Sequence, residues 1–298
     1  MIKIKDVYNN IKNTDPVTLT IGNFDGIHLG HQALILKTTF YQDTKSALMT
    51  FDPHPISFLT KKPHSQLMSV IDKIDCLNGF HLDYIWMVSF DDAFASLSIE
   101  AFIDYLKSLH VKRLVLGKDA RFGQYGAGGI EDLKPHFEVV VVEEEIYDHM
   151  RISSSLVKTR LSQGDIQVAK ALLSRNYRIY GKVVHGNHLG RTLGYPTANI
   201  EYGDYHIPKL GVYAVGVLHQ QKWYYGMANI GHNPTINYQE KPRLEVYIFD
   251  FDGDLYGKHL ALEFYDYIRS EKKFDSKDHL IHQLKLDEQA IRKLLSQA

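Results

Sequence analysis

Val17-Thr18-Leu19-Thr20-Ile21-Gly22-Asn23-Phe24-Asp25-Gly26-Ile27-His28-Leu29-Gly30-His31 decides how the first half of the chain folds. Five β-branched or apolar residues, Val17 to Ile21, read as a buried strand that breaks at Gly22. A polar, glycine-bearing turn follows, and Gln32 to Tyr41 reads as a helix. Strand, glycine loop and helix start make a setting for phosphate. Glycine lets a ligand approach the backbone, and a helix N-terminus presents unpaired N–H groups and a positive dipole end. His28 and His31 stand three apart, so both would lie on one helix face, where two imidazoles can stabilise charge building on a phosphate. The spacing equally suits a capped helix start with two satisfied histidines, in a chain that holds 16 of them.

Working outward, the same alternation repeats. Ala47 to Phe51, Tyr84 to Val88, Arg113 to Leu116 and Val139 to Val142 read as short strands, with helices over Val70 to Leu77 and Ile99 to Leu109. Buried strands alternating with helices predict a parallel sheet with its ligand sites in the loops after the strand carboxyl ends. Ser153 to Leu173 reads as two short helices broken at Gly164-Asp165. From Tyr177 the pattern changes to short β-type runs, namely Ile179 to Val184, Val212 to Leu218, Trp223 to Met227, Leu244 to Phe249 and Leu260 to Phe264, which predict a sandwich or barrel. Asp252-Gly253 reads as a hairpin turn, and Lys277 to Leu295 as a closing helix. The change of character sets a boundary near Ser174-Arg175-Asn176, dividing 1–174 from 175–298. Two domains also suit 298 residues, at roughly 150 per domain.

Composition removes several function classes. Lys plus Arg is 34 against 35 acidic residues, so the basic excess of a general nucleic-acid binder is missing. A single cysteine, Cys76, excludes an intrachain disulfide and a thiolate zinc site and suits a reducing compartment. No apolar run approaches the roughly 20 residues of a membrane-spanning helix, and the first ten residues lack a signal-peptide core, so the expected location is the cytoplasm. Gly-Lys at 117, 181 and 257 is never followed by Ser or Thr, which rules out a Walker A loop.

Read by themselves, most of the remaining motifs keep two meanings. Pro53-His54-Pro55 suits a strand-ending turn or a ligand loop, whereas Ser153-Ser154-Ser155 by itself reads as a helix N-cap. Gly181 to Gly186 leads through Gly190, Arg191 and Gly194 to Pro196-Thr197-Ala198-Asn199. This is either a glycine-rich turn with an edge strand, or a phosphate flap whose Thr197 and Asn199 offer oxygens to Mg²⁺. Glu245 alternates with apolar Leu244 and Val246, which suits a surface strand charge or a general base.

These stretches, in this order, resemble the bacterial bifunctional riboflavin kinase/FMN adenylyltransferase family. Gly22 to His31 resembles its H-x-G-H nucleotidyltransferase signature, Thr50 to Pro55 its flavin-side loop, and Leu116 to Gly123 its G-x-D-x-x-F-G segment. Ile152 to Lys158 is similar to I-S-S-T-x-I-R, and Gly190 to Asn199 to G-R-x-L-G-x-P-T-A-N. Asn229 to Thr235, Leu244 to Gly257 and Ile268 to Phe274 resemble the later kinase motifs. The resemblance implies a Rossmann-like α/β nucleotidyltransferase domain followed by an all-β six-stranded barrel kinase domain with a C-terminal helix. It implies phosphorylation of riboflavin by ATP to FMN, then adenylylation of FMN to FAD, with Mg²⁺ as cofactor and ATP as co-substrate. Implied nucleotide contacts are Gly22, Asn23, Phe24, Asp25, Gly26, Gly30, Asp119, Arg121, Ser153, Ser154, Ser155, Gly186, Gly190, Arg191, Gly194, Pro196, Thr197 and Asn199. Flavin contacts are Pro53, His54, Pro55, Arg269 and Glu271. His28, His31 and Lys158 would stabilise phosphates, Glu245 would be the general base, and Thr197 and Asn199 would hold the metal. Two positions depart from the pattern. Ser155 replaces threonine, and Lys158 replaces arginine, keeping the charge but losing the bidentate fork. A kinase-only protein and a non-catalytic flavin sensor are the alternatives. Partners would be riboflavin, FMN, FAD and ATP, with no nucleic acid or membrane; the sequence leaves the oligomeric state open.

Overall fold

The computed structural model describes residues 1–185, 194–232 and 241–296. It divides into two compact units, Met1–Ser154 and Ser155–Ala298. The division falls upstream of Ser174, because the two helices between carry packing partners in the barrel that follows.

In the first unit, Val17–Ile21 forms the strand its β-branched run dictates (β2, after the N-terminal strand β1, Ile2–Asp6). Helix α1 is Leu29–Thr39, and β3 is Lys45–Asp52. Helices α2, Pro55–Thr60, and α3, Val70–Asn78, precede β4, Tyr84–Ser89. Then come α4, Asp92–Ala95, α5, Ile99–Ser108, β5, Val111–Gly117, α6, Ile130–Leu133, and β6, Glu138–Val142. A two-residue antiparallel pair, β7 (Ile146–Tyr147) and β8 (Met150–Arg151), closes the unit. The sheet is parallel throughout, in the order β1-β4-β3-β2-β5-β6. Both faces are covered, as a parallel sheet requires. On β3, Ala47 and Met49 enter one core with Leu19, Trp86 and Phe102, while Leu48 enters a second with Phe24, Ile35 and Leu77. From β2 the chain winds through β3 and β4 to one side, then returns to β5 and β6 on the other. The direction reverses between β2 and β5, and such a switch point leaves a crevice at the strand carboxyl ends.

The boundary falls at the first residue of α7, Ser154–Gln163, and the second unit continues with α8, Ile166–Leu173. Six antiparallel strands follow: β9 (Tyr177–Val184), β10 (Thr197–Glu201), β11 (Gly211–His219), β12 (Lys222–Gly231), β13 (Arg243–Ile248) and β14 (His259–Arg269). They close into a barrel, β10-β13-β12-β11-β14-β9. Tyr213, Val215, Val246, Leu262 and Phe264 are fully buried. Helix α9, Lys277–Leu295, places Ile291 and Leu284 against Tyr195, Met227 and Phe249. The hairpin expected at Asp252-Gly253 does not form, because β13 pairs with β10 and β12, and β14 with β9 and β11. Residues 249–258 instead join strands that are not neighbours. The edge-strand reading of 197–201 falls too, since a closed barrel gives β10 a partner on each side.

Candidate functional sites

The loop after β2 is held in an unusual backbone path. Phe24 (φ 48°), Gly26 (φ 87°) and Ile27 (φ 40°) all occupy the left-handed region, which only the glycine adopts without cost. Burial secures the other two: Phe24 and Ile27 are fully enclosed in the core cluster with Leu48. The Phe24 ring is therefore part of the core and is not presented to the loop surface. Asp25 is also turned inward. Its Oδ1 accepts from the Leu67 N–H at 2.7 Å, and its carbonyl accepts from Ser154 Oγ at 2.8 Å. His28 caps α1, its Nδ1 accepting from the His31 N–H at 3.4 Å. A neutral ring accepting at Nδ1 carries its proton on Nε2, which makes Nε2 a donor. The His31 ring stacks on it at 3.7 Å between centroids. A Cβ at Gly30 would meet the His28 ring at 3.4 Å, an ordinary van der Waals contact, so the ring packs directly over this glycine.

Beside this loop lies a cavity of about 800 Å³, at the switch point. Gly22 and Asn23 line it from β2, Pro55 and Phe58 from the segment after β3, and Asp119, Arg121 and Phe122 from the segment after β5. Its apolar wall is aromatic. Phe90 packs edge to face on Phe51 and Phe94 at 5.6 and 5.7 Å, Phe51 and Phe94 meet tilted at 5.4 Å, and Phe122 stacks on Phe102 at 4.9 Å. Tyr125 stands at the rim, 93% exposed. Asp119 is paired with Arg151 at 2.7 Å. His54 caps α2 through Nδ1, accepting from the Ile56 N–H at 3.2 Å, and its ring lies 4.7 Å from that of His64. Ser155 and Lys158, on α7, fall in the second unit, where the Lys158 carbonyl sits 3.0 Å from His206 Nε2.

On the barrel, strand register brings the expected polar residues together. Asn199 pairs across with Glu245, and Glu245 in turn with Asn229. Cross-strand partners share a face, so the three form a row, with Thr197 two residues along on the same side. Burial pushes the Glu245 carboxyl above its ordinary pKa, and the Arg243 charge opposes that. Glu271 extends the row: Asn229 hydrogen-bonds its carboxylate, which is likewise raised by burial. It lies directly on Gly231, where any Cβ would overlap Oε1. Arg269 does not join this row. Its Nε and Nη2 grip Asp287 of α9 at 2.6–3.0 Å, with both side chains largely buried. Pro196 and Thr197 line a separate cavity of about 380 Å³ with Phe251, Asp252, Asp254 and Tyr256. Gly194, at φ 78°, has open space where a Cβ would be. Gly186, Gly190 and Arg191 lie outside the described residues.

Family models for FAD synthetase and riboflavin kinase match residues 10–156 and 173–295. The curated bifunctional riboflavin kinase/FMN adenylyltransferase of Listeria monocytogenes is 39% identical over 285 residues, 92% of this chain and 91% of that one. The chain belongs to the bifunctional riboflavin kinase/FMN adenylyltransferase family. The Bacillus subtilis and Escherichia coli members are 38% and 37% identical, each across 92% of this chain and 91% of their own. A crystal structure described as a macrolide-efflux protein from Streptococcus pneumoniae has TM-score 0.87 and 33% identity, covering 98% of this chain and 99% of that one. Among the described residues no helix is long and apolar enough to cross a membrane.

Within this family frame, sequence does not single out Lys73, Asp287 or most of the aromatic wall, and it gives Thr50 and Asn229 only as members of longer motifs. The signal for the wall was the density of phenylalanine at 51, 58, 90, 94, 102 and 122. Lys73 reads in sequence as one more helix-surface lysine, and nothing local marks its burial.

Proposed function

We propose that the barrel unit transfers the γ-phosphoryl group of ATP to the 5′-hydroxyl of riboflavin, giving FMN and ADP, and that the α/β unit joins FMN to AMP from ATP, giving FAD and pyrophosphate. The observation that carries the reading is the coincidence of two built sites with the two family matches on one chain: the aromatic cavity beside the His28 helix start, and the Asn199–Glu245–Asn229 row. We assign the two reactions to residues 1–174 and 175–298.

In the kinase reaction, ionised Glu245 takes the proton from the attacking hydroxyl. Its partial burial keeps water from competing for that carboxylate. The Thr197 hydroxyl and Asn199 carboxamide are hard oxygen donors on one strand face, which suits Mg²⁺ alongside nucleotide phosphates. When bound there, the ion would offset phosphate charge. Glu271, tied to Asn229, would border the flavin end of the row. In the adenylyl transfer, the FMN phosphate attacks the α-phosphorus and pyrophosphate leaves, with no protein nucleophile. His28 donates from Nε2, and the α1 N-terminus supplies backbone donors, where charge develops. The phenylalanine wall takes the isoalloxazine by stacking. The role of Lys158 on phosphate rests on the motif.

The test is incubation with riboflavin and ATP-Mg²⁺, with FMN and FAD separated afterwards, under oxidising and reducing conditions. Both products are expected. FMN without FAD in either condition reduces the chain to a kinase, and flavin binding with no ADP released makes it a sensor.

A further inference from the structure

Lys73 is a buried cation that the two reactions, as derived above, do not use. It sits on α3 and is 4% exposed. Its Nζ donates to the Asn23 carbonyl at 2.6 Å and to Thr50 Oγ1 at 3.2 Å. Thr50 Oγ1 donates to the same carbonyl at 3.1 Å. Two side chains from α3 and β3 thus converge on one carbonyl of the loop after β2, fifty and twenty-seven residues away in sequence.

That convergence has a geometric effect. In a planar trans peptide the carbonyl and the following N–H point in opposite directions. Drawing the Asn23 carbonyl toward α3 directs the Phe24 N–H away from it. Phe24, Gly26 and Ile27 hold positive φ, a path that Phe24 and Ile27 do not favour, so the loop depends on its surroundings to keep that N–H in place. A buried ammonium beneath such a loop also adds positive potential where surrounding solvent cannot screen it. Desolvation lowers the Lys73 pKa to about 8, while the Asp25 and Asp52 charges sustain the protonated form. The group is therefore mostly an ammonium at neutral pH.

We propose that Lys73 is a positioning residue for adenylyl transfer, acting through the Asn23 carbonyl to fix the phosphate-side loop. The proposal rests on the adenylyltransferase reading given above.

The experiment measures FAD formation from FMN and ATP-Mg²⁺ in the full-length chain, with riboflavin phosphorylation by the same preparation as the internal measure of intact protein. Lys73→Met should lower kcat/KM for FAD formation about 100-fold, the scale of a misplaced reacting group, with a fall in kcat and a rise in KM for ATP. Lys73→Arg, which keeps charge and donors, should recover at least tenfold of that. A merely structural lysine would lower the unfolding temperature of the first unit yet leave both kinetic constants within threefold, and that result overturns the proposal. Should Lys73→Met fail to fold, Thr50→Val decides: it keeps the lysine, removes one donor to Asn23, and should lose about tenfold. Less than a twofold loss in Thr50→Val would refute the arrangement. If the unaltered chain makes no FAD while it makes FMN, the adenylyltransferase reading itself falls, and the proposal with it. That outcome differs from normal FAD formation by the variants.

Discussion

Replacing Asp287 with alanine should unfasten α9 from the barrel. Asp287 is 2% exposed, and its carboxylate takes three contacts from Arg269, at 2.6, 2.9 and 3.0 Å, plus one from Gln283 at 2.8 Å. Removing it leaves the Arg269 guanidinium, whose side chain is only 14% exposed, without its counter-charge. Breaking a buried pair from one side costs about 3–5 kcal/mol. For a unit of this size each kcal/mol moves the unfolding midpoint by about 3 °C, so the barrel transition should fall by roughly 9–15 °C. Differential scanning calorimetry reads this directly. Arg269 lies two residues from Glu271, so riboflavin KM should also rise, measured well below the new midpoint. Arg269→Met/Asp287→Leu should regain part of the loss, because no charge is then left buried. A midpoint shift under 2 °C in Asp287→Ala would refute the claim that this pair anchors the helix.

Three residues at the sites carry further expectations. Glu245→Gln should cost about 10²–10⁴-fold in kcat for FMN formation, some 3–5 kcal/mol, with FAD formation from supplied FMN retained. Because burial raises the Glu245 pKa, kinase activity in the parent should fall with pH through a value above the ordinary glutamate range. The same shift makes the folded state favour the protonated carboxyl, so stability is present at low pH and declines as pH rises through the folded value. Glu245→Gln should therefore be the more stable protein at pH 7 and lose that advantage near pH 4, by urea titration at both. His28→Ala should depress FAD formation while FMN formation continues, and should cost about 1 kcal/mol in the first unit through the lost helix cap. Gly231→Ala should drive Glu271 off its seat and raise riboflavin KM, with overpacking of about 1–3 kcal/mol visible in the melt; an unchanged KM would mean that Glu271 does not border the flavin.

Residue pattern made most of the fold legible because its strongest elements carry their own signal. Val17–Ile21 and Lys277–Leu295 appear with the bounds their apolar spacing gives. Ile2–Asp6 does not read as a strand, since Lys3, Lys5 and Asp6 make an exposed edge whose partner is the distant β4. The Asp252-Gly253 turn misled for a different reason: turn chemistry is local, but which strands adjoin is settled by barrel closure. The site divides the same way. Strand alternation correctly placed Thr197 and Asn199 on one face. The partners of Phe24 and Arg269 belong to other elements, so sequence shows neither the burial of that ring nor the ion pair of that guanidinium. The cavity wall was hidden because its phenylalanines are spread over separate segments, each ordinary by itself.

The closed barrel also sets an order of events during synthesis. β9 finds one neighbour in β10, but its other neighbour is β14, and Tyr177 pairs with Phe264 across that seam. The ring stays open until nearly all of the second unit has been made. Contacts of such long sequence separation form slowly, since loop entropy is lost before the pairing rewards it. At roughly 5–20 residues per second, the stretch from β9 to β14 takes several seconds to emerge. Through that interval the nascent kinase half has two unsealed strand edges, whereas the α/β half upstream already holds every strand of its sheet. Adenylyltransferase structure should therefore mature on the ribosome first, although its substrate is the product of the half that folds last.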